Sequence, residues 1–98
     1  MDFVDKIIEK VGNKIQKIKQ KRERKKIAKN LKYLRKKNGL TIKALSNLVG
    51  IPKGTYSVFE SYGEGIGPER LDRIYAFYNI DEVAALMNHE DFIKRFET

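Results

Sequence analysis

The sequence contains no cysteine and no tryptophan, a single histidine and only two prolines among its 98 residues. Without cysteine, neither a disulfide framework nor a thiolate metal site can form. His89 alone cannot supply a histidine-rich site, so no metal or other cofactor is expected. No apolar run approaches the roughly 20 residues of a membrane span. Asp2, Asp5 and Glu9 interrupt the apolar stretch near the N-terminus, which therefore does not read as a signal peptide, and the expected compartment is the cytoplasm. Paired carboxylates and nucleophile–base pairs are also missing. His89 with Glu90 and Asp91 reads as a polar helix end, so no enzymatic activity is expected. No small-molecule pocket is evident, and no stretch alternates apolar and polar residues long enough to make a strand.

What the chain has in excess is positive charge, unevenly placed. Residues 1–37 carry 15 Lys/Arg against 4 Asp/Glu, a surplus of 11, and residues 38–98 carry 6 against 9, a deficit of 3, for the net +8. A block of this density suits a polyanion, either a phosphate backbone or an anionic membrane; the plain alternative is a solvated helix face.

Glycine and proline cut the chain into short helical pieces, an all-α pattern. From Asp2 to Gln20, Val4, Ile8, Val11, Ile15 and Ile18 recur at spacings of 4, 3, 4 and 3, a coiled-coil seam that Phe3 and Ile7 widen. Gly12-Asn13 weakens this helix, and the seam ends because Arg22 and Lys25 occupy the next two positions. A second helix is expected from Lys25 to Lys37, with Ile27, Leu31 and Leu34 inward, stopped at Asn38-Gly39. Thr41 reads as the N-cap of a third helix with Ala44, Leu45 and Leu48 inward, ended by Gly50. A fourth helix spans Lys53–Ser61 with Tyr56 and Phe59 inward, and Tyr62–Gly67 is a loop. Pro68 opens a fifth, with Leu71, Ile74, Tyr75 and Phe77 or Tyr78 inward. Asp81 caps a sixth with Val83, Leu86 and Met87 inward, and Phe92, Ile93 and Phe96 make the end amphipathic.

Thr41–Ser61 forms one unit: a short helix, a three-residue turn and a second short helix whose outer side stays free to enter a major groove ~12 Å wide. Leu34-Arg35, Gly39-Leu40-Thr41, Ala44-Leu45, Leu48-Val49-Gly50-Ile51, then Thr55, Tyr56, Phe59 and Glu60 follow in order. On these residues the chain, over about 25–88, resembles the lambda-repressor/Cro-like helix-turn-helix family. The resemblance implies a five-helix DNA-binding domain with Lys53–Ser61 as recognition helix. It places Pro52, Lys53, Gly54, Ser57 and Val58 against base edges, with Lys53 suited to guanine O6 and N7 and Val58 to a thymine methyl. It places Lys43 and Thr55 on phosphate, and it implies an Arg35–Glu60 ion pair tying the first domain helix to the recognition helix. Ile42 stands where the family often has a phosphate-bonding glutamine, Gly54 where it often has a polar reader, and Tyr62 where it has glycine. A recognition helix so poor in hydrogen-bonding groups shifts specificity toward DNA shape and the basic segment.

The expected organisation is therefore residues 1–24 as a basic amphipathic helix serving dimerisation or as an arm, 25–88 as the helix-turn-helix domain, and 89–98 as a short amphipathic segment. The expected function is a transcriptional regulator of double-stranded DNA. The motif itself carries only Lys43 and Lys53 against Glu60, so Lys17–Lys29, with Lys21, Arg22, Arg24, Lys25 and Lys26, is assigned to phosphates. The seam has three readings: pairing in a homodimer, which is expected; folding back on the domain against Phe92, Ile93 and Phe96; or lying on an anionic membrane, the least favoured. The alternative function is a protein- or membrane-tethering module on the same scaffold. Single-stranded RNA binding is disfavoured because the tyrosines sit at core spacing and no strand platform is visible.

Overall fold

The computed structural model describes residues 3–97, and among these every element is helical, with no strand. Helix α1 runs Phe3–Lys37, α2 Ile42–Val49, α3 Lys53–Tyr62, α4 Pro68–Tyr78, α5 Glu82–Ala85 and α6 His89–Phe96. The molecule measures 55 × 30 × 19 Å, its long dimension matching the roughly 52 Å rise of the 35 residues of α1.

That single helix corrects the expectation of two, ending at Gln20 and restarting at Lys25. The intervening Lys21-Arg22-Glu23-Arg24 contains only good helix formers and neither a cap nor a breaker. The charge run marks a change of surface, not of backbone. Gly12 stands in open space, and one glycine costs only about 1 kcal/mol. The fold-back reading fails with the break. Ile18 and Ile27 are about two and a half turns apart, so the seam lies on the side of α1 opposite the core stripe. Val4, Ile7, Ile8, Val11, Ile15 and Ile18 are all exposed. The side chain of Phe3 lies outside the described residues.

The remaining helices begin and end on local signals. Thr41 Oγ1 accepts from Ala44 N at 3.0 Å, and Gly50 closes α2 in the left-handed region. Pro68 opens α4, and Asp81 caps α5 through Ala84 N at 2.8 Å. The core joins Ile27, Leu31 and Leu34 of α1 to Leu45, Val49, Ile51, Tyr56, Phe59, Leu71, Ile74, Tyr75, Ala85 and Phe92. Helix α6 carries Phe92, which is fully buried in that same core.

Two inward expectations are corrected and one left open is resolved. Leu48 is 60% exposed, and Ser46 is buried instead. The inward stripe of α2 is Leu45, Ser46 and Val49, and the Ser46 hydroxyl donates to Ile42 O at 2.7 Å, so its polarity is satisfied by its own helix. Val83 is 77% exposed, because α5 is a single turn that turns Ala84 and Ala85 inward. Of Phe77 and Tyr78, it is Tyr78 that packs against the core while Phe77 faces out.

A buried polar pin fixes α1 to the C-terminal helices. Asn30 Nδ2 donates to Ala85 O at 2.7 Å and Met87 O at 2.9 Å, and His89 Nδ1 meets Asn30 Oδ1 at 2.7 Å. Every hydrogen-bonding group of this fully buried amide is engaged.

Candidate nucleic-acid interface

Tyr56, Phe59 and Glu60 turn one side of α3 into the domain. The helical period then leaves Lys53, Gly54, Val58 and Ser61 facing out, with Thr55 and Ser57 half-buried at the margins. Pro52 precedes them, exposed, and supplies no side-chain cap, so the first N–H groups of α3 keep no side-chain partner there. Gly54 has open space around it. Lys43 is exposed on the first turn of α2.

The orientation of α3 is set by a buried ion pair. Arg35 Nε donates to Glu60 Oε2 at 2.9 Å and Nη2 to Oε1 at 2.7 Å, while Nη1 donates to Leu40 O at 2.6 Å. Burial alone would push Glu60 up; the hydrogen bonds and charge of Arg35 hold it below its ordinary 4.5. The same hydrogen bond pushes Arg35 above its ordinary value. Burial raises the neighbouring Tyr78 hydroxyl to about 12 and carries that of Tyr56 up further. The cluster is thus one locked charge pair within neutral groups, and it contributes no free charge to the surface.

At its other end α3 touches α1 backbone to backbone. Gly63, at φ 73°, ends the helix, and a Cβ there would stand 2.8 Å from Lys25 N and 2.9 Å from Arg24 C. This explains the glycine displaced by one residue. Tyr62 becomes the last residue of α3, exposed, and Gly63 takes both the left-handed turn and the close approach.

The basic residues of α1 separate into three groups. Lys25, Lys29 and Lys32 line an open groove of about 320 Å³ with Ser61, Tyr62 and Gly63 of the recognition helix and its cap. Lys17 and Lys21 line the next groove with Gly63, Glu64 and Gly65, and Lys21 Nζ stands 3.9 Å from Glu64. A Cβ on Gly65 would lie 3.9 Å from Val58 Cγ1, so that loop borders the outer face of α3. These lysines, four or three residues apart, form one ridge beside α3. Arg22 and Lys26 instead line a groove with Ile15, Ile18 and Lys19. Arg24, expected on phosphate, is instead drawn inward: Nη1 donates to Ile66 O at 2.8 Å and pins the loop after α3.

Lys32, Tyr62 and Arg73 were missed by the sequence reading. The 4-4-4-3 spacing from Lys17 could have revealed Lys32. Arg73, which donates to Gly50 O in the turn between α2 and α3 at 3.2 Å and pairs with Glu69 of its own helix at 2.8 Å, was not singled out.

A family profile described as a helix-turn-helix domain matches residues 28–91. The chain belongs to that family, in its Cro-like branch. Neither a curated protein nor a solved structure matches it. In general terms this helix-turn-helix protein is a DNA-binding regulator. The match begins at Ala28, so the part of α1 before it, with the apolar seam and most of the lysine ridge, lies outside the matched domain.

Proposed function

We propose that the protein is a transcriptional regulator that inserts α3 into the major groove of double-stranded DNA and lays the lysine ridge of α1 along the adjoining phosphates. The observation that carries this reading is the shared groove in which Lys25, Lys29 and Lys32 meet Ser61 and Tyr62 at the end of α3. Lys53 addresses guanine O6 and N7, Ser57 a base or phosphate, and Val58 a thymine methyl. Pro52 and the open Gly54 let the backbone come close. Lys43 and Thr55 touch phosphate and set register without reading sequence. Glu60 is neutralised internally by Arg35, so Lys43 and Lys53 are the only free cations of the motif. The ridge, with Lys21 and Lys25 at its centre, therefore supplies most of the attraction.

The test is the salt dependence of duplex binding, by fluorescence anisotropy, for the full chain and for a variant with Lys17, Lys21, Lys25, Lys29 and Lys32 changed to glutamine. If the ridge neutralises about five phosphates, the log–log slope falls by about 4.5 in the variant. An unchanged slope excludes the ridge. Absence of binding by the full chain at low salt excludes the function.

A further inference from the structure

The first half of α1 carries a surface that DNA binding leaves unused. Val4, Ile7, Ile8, Val11, Ile15 and Ile18 are each between 47 and 63% exposed. They form an aliphatic strip along roughly 21 Å of helix. The strip points away from the core stripe on an unbroken helix, so among the described residues nothing covers it.

What borders the strip decides what it fits. Lys10 and Lys14 share a hollow with Ile7 and Val11, and Lys19, Arg22 and Lys26 share another with Ile15 and Ile18. At about 100° per residue, Lys14 and Lys21 fall on one flank and Lys19 and Lys26 on the other, while Asn13, Gln16 and Gln20 occupy the opposite pole. In heptad terms the two flanks are the positions that face each other across a two-stranded coil. In a parallel pair, Lys14 meets Lys19 and Lys21 meets Lys26 of the other copy; in an antiparallel pair each flank meets its own kind. A second copy therefore brings lysine against lysine, on a seam already short and interrupted by Gly12. DNA would satisfy the lysines but offers nothing to six aliphatic side chains.

An anionic bilayer satisfies both. Its acyl boundary receives the strip, and its headgroups receive the flanking ammonium groups, which their aliphatic stems allow to reach outward. The same side of the helix continues past Ile18 as Arg22, Lys25 and Lys29, so it passes from aliphatic to cationic without turning. We propose that the N-terminal half of α1 is a membrane-surface helix that lies in the headgroup layer of an anionic lipid bilayer and holds the helix-turn-helix domain against it. Among the described residues no helix is long and apolar enough to cross a membrane, so the association is peripheral. It does not depend on DNA binding.

The experiment is co-sedimentation of the full chain with vesicles of phosphatidylglycerol and phosphatidylcholine, and with phosphatidylcholine alone, together with sedimentation velocity without lipid. Two variants accompany it, Ile8→Glu/Ile15→Glu and Lys14→Gln/Lys19→Gln. All four positions are exposed, and an unchanged unfolding midpoint confirms that the domain is intact. The full chain is expected to pellet with anionic vesicles and not with neutral ones. The isoleucine variant should lose at least tenfold in affinity, and the lysine variant about fivefold per residue. Three results overturn the proposal: a chain that stays in the supernatant with anionic vesicles, an isoleucine variant that binds like the parent, or a lysine variant that does. A lipid-free dimer that Ile8→Glu/Ile15→Glu dissociates, with no vesicle binding, assigns the strip to a second copy instead.

Discussion

Replacing Arg35 with methionine tests the account of how α3 is held. The substitution keeps most of the stem volume and removes three donated hydrogen bonds, two to Glu60 and one to Leu40 O. Glu60 then remains buried with its charge uncompensated. Removing one member of a buried pair costs roughly 3–5 kcal/mol, a large part of a small domain's total stability. Arg35→Met/Glu60→Leu should recover most of that loss, because replacing both partners with apolar groups is close to neutral. The pH dependence gives a second reading with opposite signs. In the parent Glu60 sits below its ordinary 4.5, so its contribution is full above that value and is lost as pH falls through the lowered one. In Arg35→Met, burial is opposed only by the Tyr56 hydrogen bond and the charge of Lys32, and the expected result is a Glu60 raised above 4.5. The folded state then binds the proton first, and acidification toward 4.5 restores stability. Urea unfolding followed by circular dichroism, carried from pH 7 to well below 4.5, measures both effects. A loss under about 1 kcal/mol, or a variant that weakens on acidification as the parent does, would refute the reasoning.

Gly63→Ala should destabilise by roughly 2–5 kcal/mol in thermal unfolding, combining a left-handed backbone at φ 73° with a Cβ driven against the backbone of Lys25. Gly54→Ala, in open space within a helix, should stabilise by roughly 0.5–1 kcal/mol and yet weaken duplex binding if the backbone approaches DNA there; anisotropy and unfolding on the same sample separate the two. Burial and the charge of Lys29 hold His89 below its ordinary 6.5. The associated stability is therefore full above pH 6.5 and falls as pH drops toward the lowered value. The difference between parent and His89→Gln in urea midpoint should change across that interval and be flat above it.

Helix boundaries set by one or two neighbouring residues were legible in the sequence. Thr41, Gly50, Pro68 and Asp81 act through bonds or dihedrals three or four residues away, so their effect is written locally. The continuity of α1 was obscured because a charge run resembles a linker, although nothing between Gln20 and Lys25 stops a helix. The inward place of Ser46 was hidden because hydropathy ignores a hydroxyl that bonds its own helix. The Asn30–His89 pin joins residues 59 apart in sequence, and no periodicity announces it. The basic segment was recognised as one block, yet its division into a ridge beside α3, an inward Arg24 and a group beside Ile18 depends on where α3 and its loop pack.

Because α1 has no joint between strip and domain, it converts a count of residues into an angle. One residue inserted between Ile18 and Arg24 would swing the strip about 100° around the axis relative to α3, and seven would return it to within about 20° while moving it ~10 Å outward. A flexible tether would be indifferent to either change. Here the phase of a helix sets the direction in which the recognition surface points once the other end is held.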